Sequence, residues 1–377
     1  MIIGAGIGGL SAAISMQRRG IPVQVYEAAS ALSPVGAGIL LPPNAMNILE
    51  RYGLAEQVRG QGVSIESFAM LDRHGRTISK VSARYMQNRA SHQAVAIHRG
   101  QLQQVLLGAL RPDTLFTGKT LVQISTRSDR IEATFSDGTK ASSEFIVGAD
   151  GIRSAVRKRL FPTSTLRYSG QTCWRGVAAL TLPVQWMNQF TEIWGIGGVF
   201  GFAPIGEQQV YWYATQKVVA DGLDDTDHIK QMLTDTYGSL LEPIAALIAH
   251  TQVTHIIRND LIDLAPLKSW AQGRSVLIGD AAHAVLPNLG QGGAQAIEDS
   301  WVLGEMLASS RSCEEAFKRY QKMRLARARK IADISRNLAN ISSLCNATVC
   351  DIRDALFRRI PAFVTARQFQ GIYGMPY

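Results

Sequence analysis

A chain of 377 residues, 46% of them hydrophobic and with no Pro-, Ser- or Gln-rich tract, is long enough for a large α/β core, and its composition excludes a disordered protein. Its four cysteines form no CxxC pair and no framework of the kind that staples short secreted domains, so they read as buried thiols of a reducing compartment, the cytoplasm. The net charge of +9 lacks the basic-aromatic interleaving of a nucleic-acid groove, and no stretch reaches the roughly 18 apolar residues of a transmembrane segment, so neither nucleic acid nor a membrane span is expected.

Ile2-Ile3 leads into Gly4-Ala5-Gly6-Ile7-Gly8-Gly9, Leu10 to Arg19 reads as a helix ended by Gly20, and Val23 to Tyr26 as a strand closing on Glu27-Ala28. That order is a βαβ dinucleotide half. A pyrophosphate needs backbone N–H groups at a helix N-terminus, and glycine lets the backbone approach it; Gly4, Gly6 and Gly9 supply that spacing. Glu27 is then the carboxylate placed to accept ribose hydroxyls. The lead-in strand is short against the usual five or six residues, so either the chain starts inside its natural beginning or a sheet edge is clipped.

Phe145 to Ala149 runs into Asp150-Gly151, and Ser275 to Gly279 into Asp280; both read as strands of the same buried parallel sheet. Between them, aromatic residues and alternation predict an antiparallel sheet forming a second, substrate-facing domain. Trp174-Arg175-Gly176, Phe200, Phe202, Tyr211 and Tyr213 are its candidate cavity residues, each aromatic reading equally as plain core. A helical tail follows from Cys313. It carries eight Lys and Arg between Lys318 and Arg336 against the single acid Asp333, with apolar residues at helical spacing. The basic side reads as a solvated face, or as a surface for a partner or an acidic membrane.

The first glycine turn does not choose between FAD and NAD. The choice comes from Ser275 to Gly293, where Asp280 stands at a strand end within reach of ribityl hydroxyls. Gly290, Gly292 and Gly293 bare the backbone at the start of the next helix, whose positive end suits the anionic pyrimidine edge of a reduced flavin. No second G-x-G-x-x-G unit, H-E-x-x-H, clustered Cys/His metal set, P-loop or G-x-S-x-G elbow is present.

With Gly4 to Gly9 and Glu27, then Asp150-Gly151-Ile152-Arg153-Ser154 with Arg157, then Gly279-Asp280 through Gly293 with Glu298-Asp299, the sequence resembles the single-component (group A) FAD-dependent aromatic hydroxylases. That group includes p-hydroxybenzoate, salicylate and urate hydroxylases and zeaxanthin epoxidase. The likeness covers about residues 1 to 320. Pattern and resemblance together imply an α/β fold: a Rossmann-like FAD-binding domain (residues 1–70, 97–165 and 272–312), an inserted antiparallel-sheet substrate domain (71–96 and 166–271) and C-terminal helices (313–377).

The resemblance implies FAD as cofactor, NAD(P)H as a transient co-substrate without its own domain, and O2. Through a flavin C4a-hydroperoxide these would hydroxylate or epoxidise a small aromatic or polycyclic substrate. It assigns Arg99 to the FAD pyrophosphate, Val122 to a backbone contact with adenine, Asp150 to FAD and passing NAD(P)H, and Pro287 to the oxygen-reacting edge of the flavin, a helix-stop proline being the plainer reading. Pro287, Tyr211 and Arg175 are the expected catalytic residues. His283 is structural in the family, with a general base as the alternative. Val199 stands where urate hydroxylases carry an arginine, while Tyr211 matches their tyrosine; losing the charged donor disfavours urate and favours a neutral or bulkier aromatic substrate. Two other readings stay open: a flavin dehydrogenase or reductase on the same fold, and a ligand-binding protein without turnover. The oligomeric state is not set by the sequence.

Overall fold

The computed structural model describes residues 1–32, 37–82, 92–127 and 129–374. Among these, the short apolar runs build a six-stranded sheet in the order Ala271–Gln272, Ser275–Leu277, Ile146–Gly148, Ile2–Ile3, Val25–Tyr26, Leu115–Phe116. All pairings are parallel except the outermost, Ala271–Gln272 with Ser275–Leu277. The four inner strands are wholly buried, which is why they read as continuous apolar runs. Ile2–Ile3 is one of these interior strands, paired on both sides, so its shortness is not that of a clipped edge. The helix Ile7–Gln17 starts earlier than the apolar periodicity predicts, because Gly6 adopts the extended conformation of an N-cap. It packs against the helix Gly292–Ala308 through Gly8, where an added Cβ would come within 3.2 Å of Ala296 Cβ.

A seven-stranded sheet runs Ile257–Leu264, Leu166–Ala179, Gln209–Lys217, Gly198–Gly206, Gln189–Trp194, Ser67–Asp72, Thr77–Ser82. Only Gln189–Trp194 and Ser67–Asp72 run parallel. One face carries Trp174, Phe200, Phe202 and Trp212 into a core with Ile229, Leu233, Ile244 and Leu247, from helices Ile229–Tyr237 and Glu242–Ala249. The expected cavity set is corrected on this point. Side chains alternate along a strand, so Arg175 cannot share a face with Trp174 and Gly176; Trp174, Phe200 and Phe202 are core beneath the helices. Arg175, Tyr211 and Tyr213 occupy the opposite face.

The basic tail is corrected as well. It is the helix Cys313–Ser342, and its cations are largely used inside the molecule. Arg324 is wholly buried, donating through Nε to Asp299 Oδ1 at 2.7 Å and ion-paired to Glu298. Arg327 reaches the same Glu298 at 2.9 Å and also holds the carbonyls of Ile372 and Gly374, while Arg336 grips Asp263 at 2.6 and 2.9 Å. Lys318, Lys322 and Lys330 remain exposed. Of the four cysteines three are buried, and Cys345 is exposed, against expectation. Among the described residues no helix is long and apolar enough to cross a membrane.

Removing one partner from a buried ion pair strands a charge in the core at a cost of about 3–5 kcal/mol. Arg324→Leu is therefore expected to lower thermal stability by that amount, measurable by denaturant unfolding. Burial pushes the Asp299 carboxyl up, but the charges and hydrogen bonds of His283 and Arg324 outweigh it and hold it down at about 2. A group depressed on folding stabilises above its unfolded pKa and loses that effect as pH falls through the folded one. The stability gap between the natural protein and Asp299→Asn should thus be widest above about pH 4 and narrow toward pH 2; a gap constant over that window contradicts the assignment.

Candidate active site

Three backbone clearances shape the first turn. Gly4 has φ +100°, and a Cβ there would lie 2.5 Å from Ala149 O and 2.9 Å from Asp150 Cα. At Gly9 a Cβ would lie 1.9 Å from Gly4 O. At Gly6 it would meet no protein atom within 4 Å, so that face of the turn is open, at a helix start which no side chain caps. Glu27 accepts Ala5 N–H at 2.7 Å on one oxygen and Ala29 N–H at 2.9 Å on the other, leaving each oxygen further acceptor capacity. Ala28, between these contacts, is exposed. The carbonyls of Glu27 and Ala29 bind the N–H groups of Lys119 and Gly118, which brings up the strand carrying exposed Val122 beside a cavity of about 320 Å³.

Asp150 caps the helix Ala155–Leu160 through Ala155 N–H at 2.7 Å and Val156 N–H at 3.1 Å, and accepts the Ser154 hydroxyl at 2.5 Å. Its carboxylate is committed locally, and its backbone is the part that flanks Gly4. Burial raises this carboxyl against those bonds. Arg157, also buried, donates to Ala281 O at 3.2 Å and so ties this loop to Asp280. Asp280 opens the short helix Asp280–His283; its carboxyl is pushed up by the surrounding protein, and His283, Arg99 and Arg157 pull it back. The Arg99 guanidinium is exposed and has no hydrogen-bond partner among the described residues. His283 turns inward, with Nε2 2.5 Å from Asp299 Oδ2 and its ring 4.8 Å from that of Trp270, the structural of its two readings.

Pro287–Leu289 forms a single 3₁₀ turn closed by Gly290 at φ +61°. Gly292 and Gly293 then begin a 17-residue helix with no side-chain cap, so its first N–H groups and positive dipole end are available to an anion. A Cβ at Gly293 would lie 2.8 Å from Ile39 Cδ1, which makes this glycine a close-packing position. Leu286 packs with Cys173 and Tyr213, and Leu289 with Tyr373 and Phe68, so the turn carrying Pro287 roofs the second face of the large sheet. On that face the rings of Phe68, Phe190, Tyr213 and Tyr211 follow one another at centroid spacings of 5.8, 6.3 and 6.0 Å. Tyr211 lies against Gly38, where a Cβ would be 2.3 Å from its Cγ. Burial raises its hydroxyl, and the charges of Arg175 and Arg99 oppose the rise.

Two uncapped helix starts and an aromatic sheet face are the parts needed for one long dinucleotide cofactor and a flat substrate. The family model described as "FAD binding domain" matches residues 1–335. The chain belongs to this flavoprotein family. It is 37% identical over 358 residues to the aurachin C monooxygenase/isomerase of Stigmatella aurantiaca, covering 95% of this chain and 93% of that protein. It is 34% identical to the 2-heptyl-3-hydroxy-4(1H)-quinolone synthase of Pseudomonas aeruginosa, covering 99% and 97%. The solved structure of Klebsiella pneumoniae HpxO complexed with FAD and uric acid matches with a TM-score of 0.91 at 26% identity, over 99% of this chain and 96% of that one.

The flavoprotein is thus a FAD-dependent monooxygenase of the aromatic hydroxylase group. The charge of Arg99 acts on both Asp280 and Tyr211, and that of Arg175 on Tyr211. One residue escaped the sequence reading. Glu192 lies on the chamber face and binds Tyr213 and Trp194. The available signal was a lone acid alternating with Phe190 and Trp194 on one strand.

Because a methyl at position 6 meets no protein atom and the backbone there is extended, Gly6→Ala should leave the apoprotein's melting temperature unchanged while weakening FAD binding at least about tenfold. Flavin retention on purification and titration of apoprotein with FAD check this; undiminished affinity means the open face of the turn is not where the cofactor lies.

Proposed function

We propose that this monooxygenase uses NAD(P)H and O2 to hydroxylate a neutral bicyclic nitrogen heteroaromatic of the 4(1H)-quinolone class. The observation that carries this reading is the shared wall: Leu286 and Leu289, which lead into the Gly292 helix start, belong to the same apolar clusters as Cys173, Tyr213 and Phe68 of the aromatic face. A substrate lying on Tyr211 and Tyr213 is then next to the cofactor's reacting end. Substrate preference is supported by Val199, nearly fully buried and apolar on the chamber side, and by relatives whose names specify a quinolone product and an aurachin.

In this reading Gly4, Gly6, Gly9, Glu27, Ala28 and Val122 hold the adenosine diphosphate half of FAD. Arg99 reaches the pyrophosphate, Asp280, Gly290, Gly292 and Gly293 hold the flavin half, and the backbone at Asp150 serves both FAD and arriving NAD(P)H. A bound flavin would supply the activation of O2, one oxygen atom entering the substrate and the other leaving as water with the hydride of NAD(P)H and one proton from solvent. The Gly292 helix start stabilises negative charge at the pyrimidine edge. Pro287 and the aromatic rings keep water out, and Tyr211 with Arg175 orients the substrate. The unpaired cysteines suit a cytoplasmic location.

In the test, flavin-loaded protein is given 4(1H)-quinolone or urate under ¹⁸O2. The expected result is quinolone-stimulated NAD(P)H oxidation with one ¹⁸O in the product and no stimulation by urate. Product formation at the same rate without oxygen, using an artificial electron acceptor, would identify a dehydrogenase instead.

A further inference from the structure

We propose that Glu192 is the substrate-recognition residue of the chamber, its carboxylate accepting a hydrogen bond from a ring N–H or acidic O–H of the aromatic substrate. The inference deepens the function proposed above and rests on it for the location of the substrate.

Cross-strand register places Arg175, Tyr213, Gly201, Glu192 and Met70 in one row across five strands, on the face roofed by the Pro287 turn. Trp194 Nε1 donates to Glu192 Oε1 at 2.6 Å, and the Tyr213 hydroxyl donates to Oε2. An indole N–H can only donate, so the acid is held as an acceptor, and a carboxylate with about four lone-pair sites keeps half of them for another donor. The contact is built deliberately at Gly201. A Cβ there would lie 2.3–2.4 Å from the Tyr213 ring and hydroxyl, so only a bare backbone lets the ring cross the strand and reach Glu192.

Among the described residues no cation balances this anion. Among the described residues no Lys, Arg or His forms an ion pair with Glu192, and Arg175 in the same row is engaged with Cys173 and Tyr211. Glu192 is half-buried, open enough for a ligand to reach, whereas the wholly buried Glu298 is matched by Arg324 and Arg327. A carboxylate among Phe190, Tyr211, Tyr213 and Trp194 is costly unless donors satisfy it, and folding alone would be served as well by an apolar residue. Burial drives the Glu192 carboxyl upward while Tyr213 and Trp194 pull it back. A donor on the ligand adds to the second effect, which gives the chamber a reason to prefer N–H and O–H rings.

The test titrates flavin-loaded enzyme with 4(1H)-quinolone and with its N-methyl derivative, following perturbation of the flavin absorbance. The natural enzyme should bind the N–H ring about ten- to a hundredfold more tightly than the N-methyl ring. Glu192→Gln, which keeps a weaker neutral acceptor, should shrink that preference about tenfold, and Glu192→Leu should abolish it, both retaining full FAD content. No preference in the natural enzyme, an unchanged preference in either variant, or no perturbation by either ring overturns the assignment. An N–H preference lost with Glu192 but unaccompanied by stimulated NAD(P)H oxidation supports Glu192 and overturns the proposed hydroxylation of the quinolone instead.

Discussion

The buried charge cluster of Glu298, Asp299, Arg324 and Arg327 is the constraint on which the cofactor cleft depends. Asp299 accepts Gly279 N–H at 2.8 Å, lies against His283 and takes Arg324 Nε, so one carboxylate holds the turn leading into Asp280, the short helix after it and the long C-terminal helix. Its neighbour Glu298 accepts Asn44 Nδ2 at 2.6 Å and Nε and Nη2 of Arg327, drawing in the helix Pro43–Arg51 and, through Arg327, the end of the chain. Charges this deep tolerate little displacement, because losing any one donor leaves an unpaired ion in a low-dielectric core. The Gly292 helix, which carries both acids in its interior, is thereby fixed in direction, and with it the N–H groups at its start.

The large sheet contributes by having two unlike faces. One is closed by its own helices into an ordinary aromatic core, with Phe200 and Trp212 stacked at 5.6 Å. The other is covered by the Leu286–Leu289 segment and by the C-terminal helices, through Ile331, Leu338 and Ala339 of Cys313–Ser342, Phe357 and Tyr373. That covering sets the aromatic face against the turn that carries Pro287. It also links the substrate wall to the charge cluster, since Arg327 binds the carbonyl of Ile372 next to Tyr373.

How legible each part was in the sequence follows the range of the interactions that create it. The glycine turns, their strands and the helix after each could be read because a positive φ at Gly4 and the clearance at Gly9 are local demands. The face chosen by each aromatic strand could not, since alternation specifies two sets of side chains without saying which set meets the helices. The charge run from Lys318 to Arg336 misled for the same reason: Arg324 finds Glu298 26 residues earlier in the chain, and Arg336 finds Asp263 73 residues away.

By itself the sequence determined that a dinucleotide-type cofactor fold is present, and through three ordered motifs which cofactor it takes, because those features are written in backbone conformation and spacing. Only the tertiary structure decided which residues line the second face of the large sheet, that the most basic helix is half internal, and that Glu192 on that face has no ion-pair partner among the described residues. Each of these depends on what lies across a strand or a helix interface, and such partners come from distant parts of the chain.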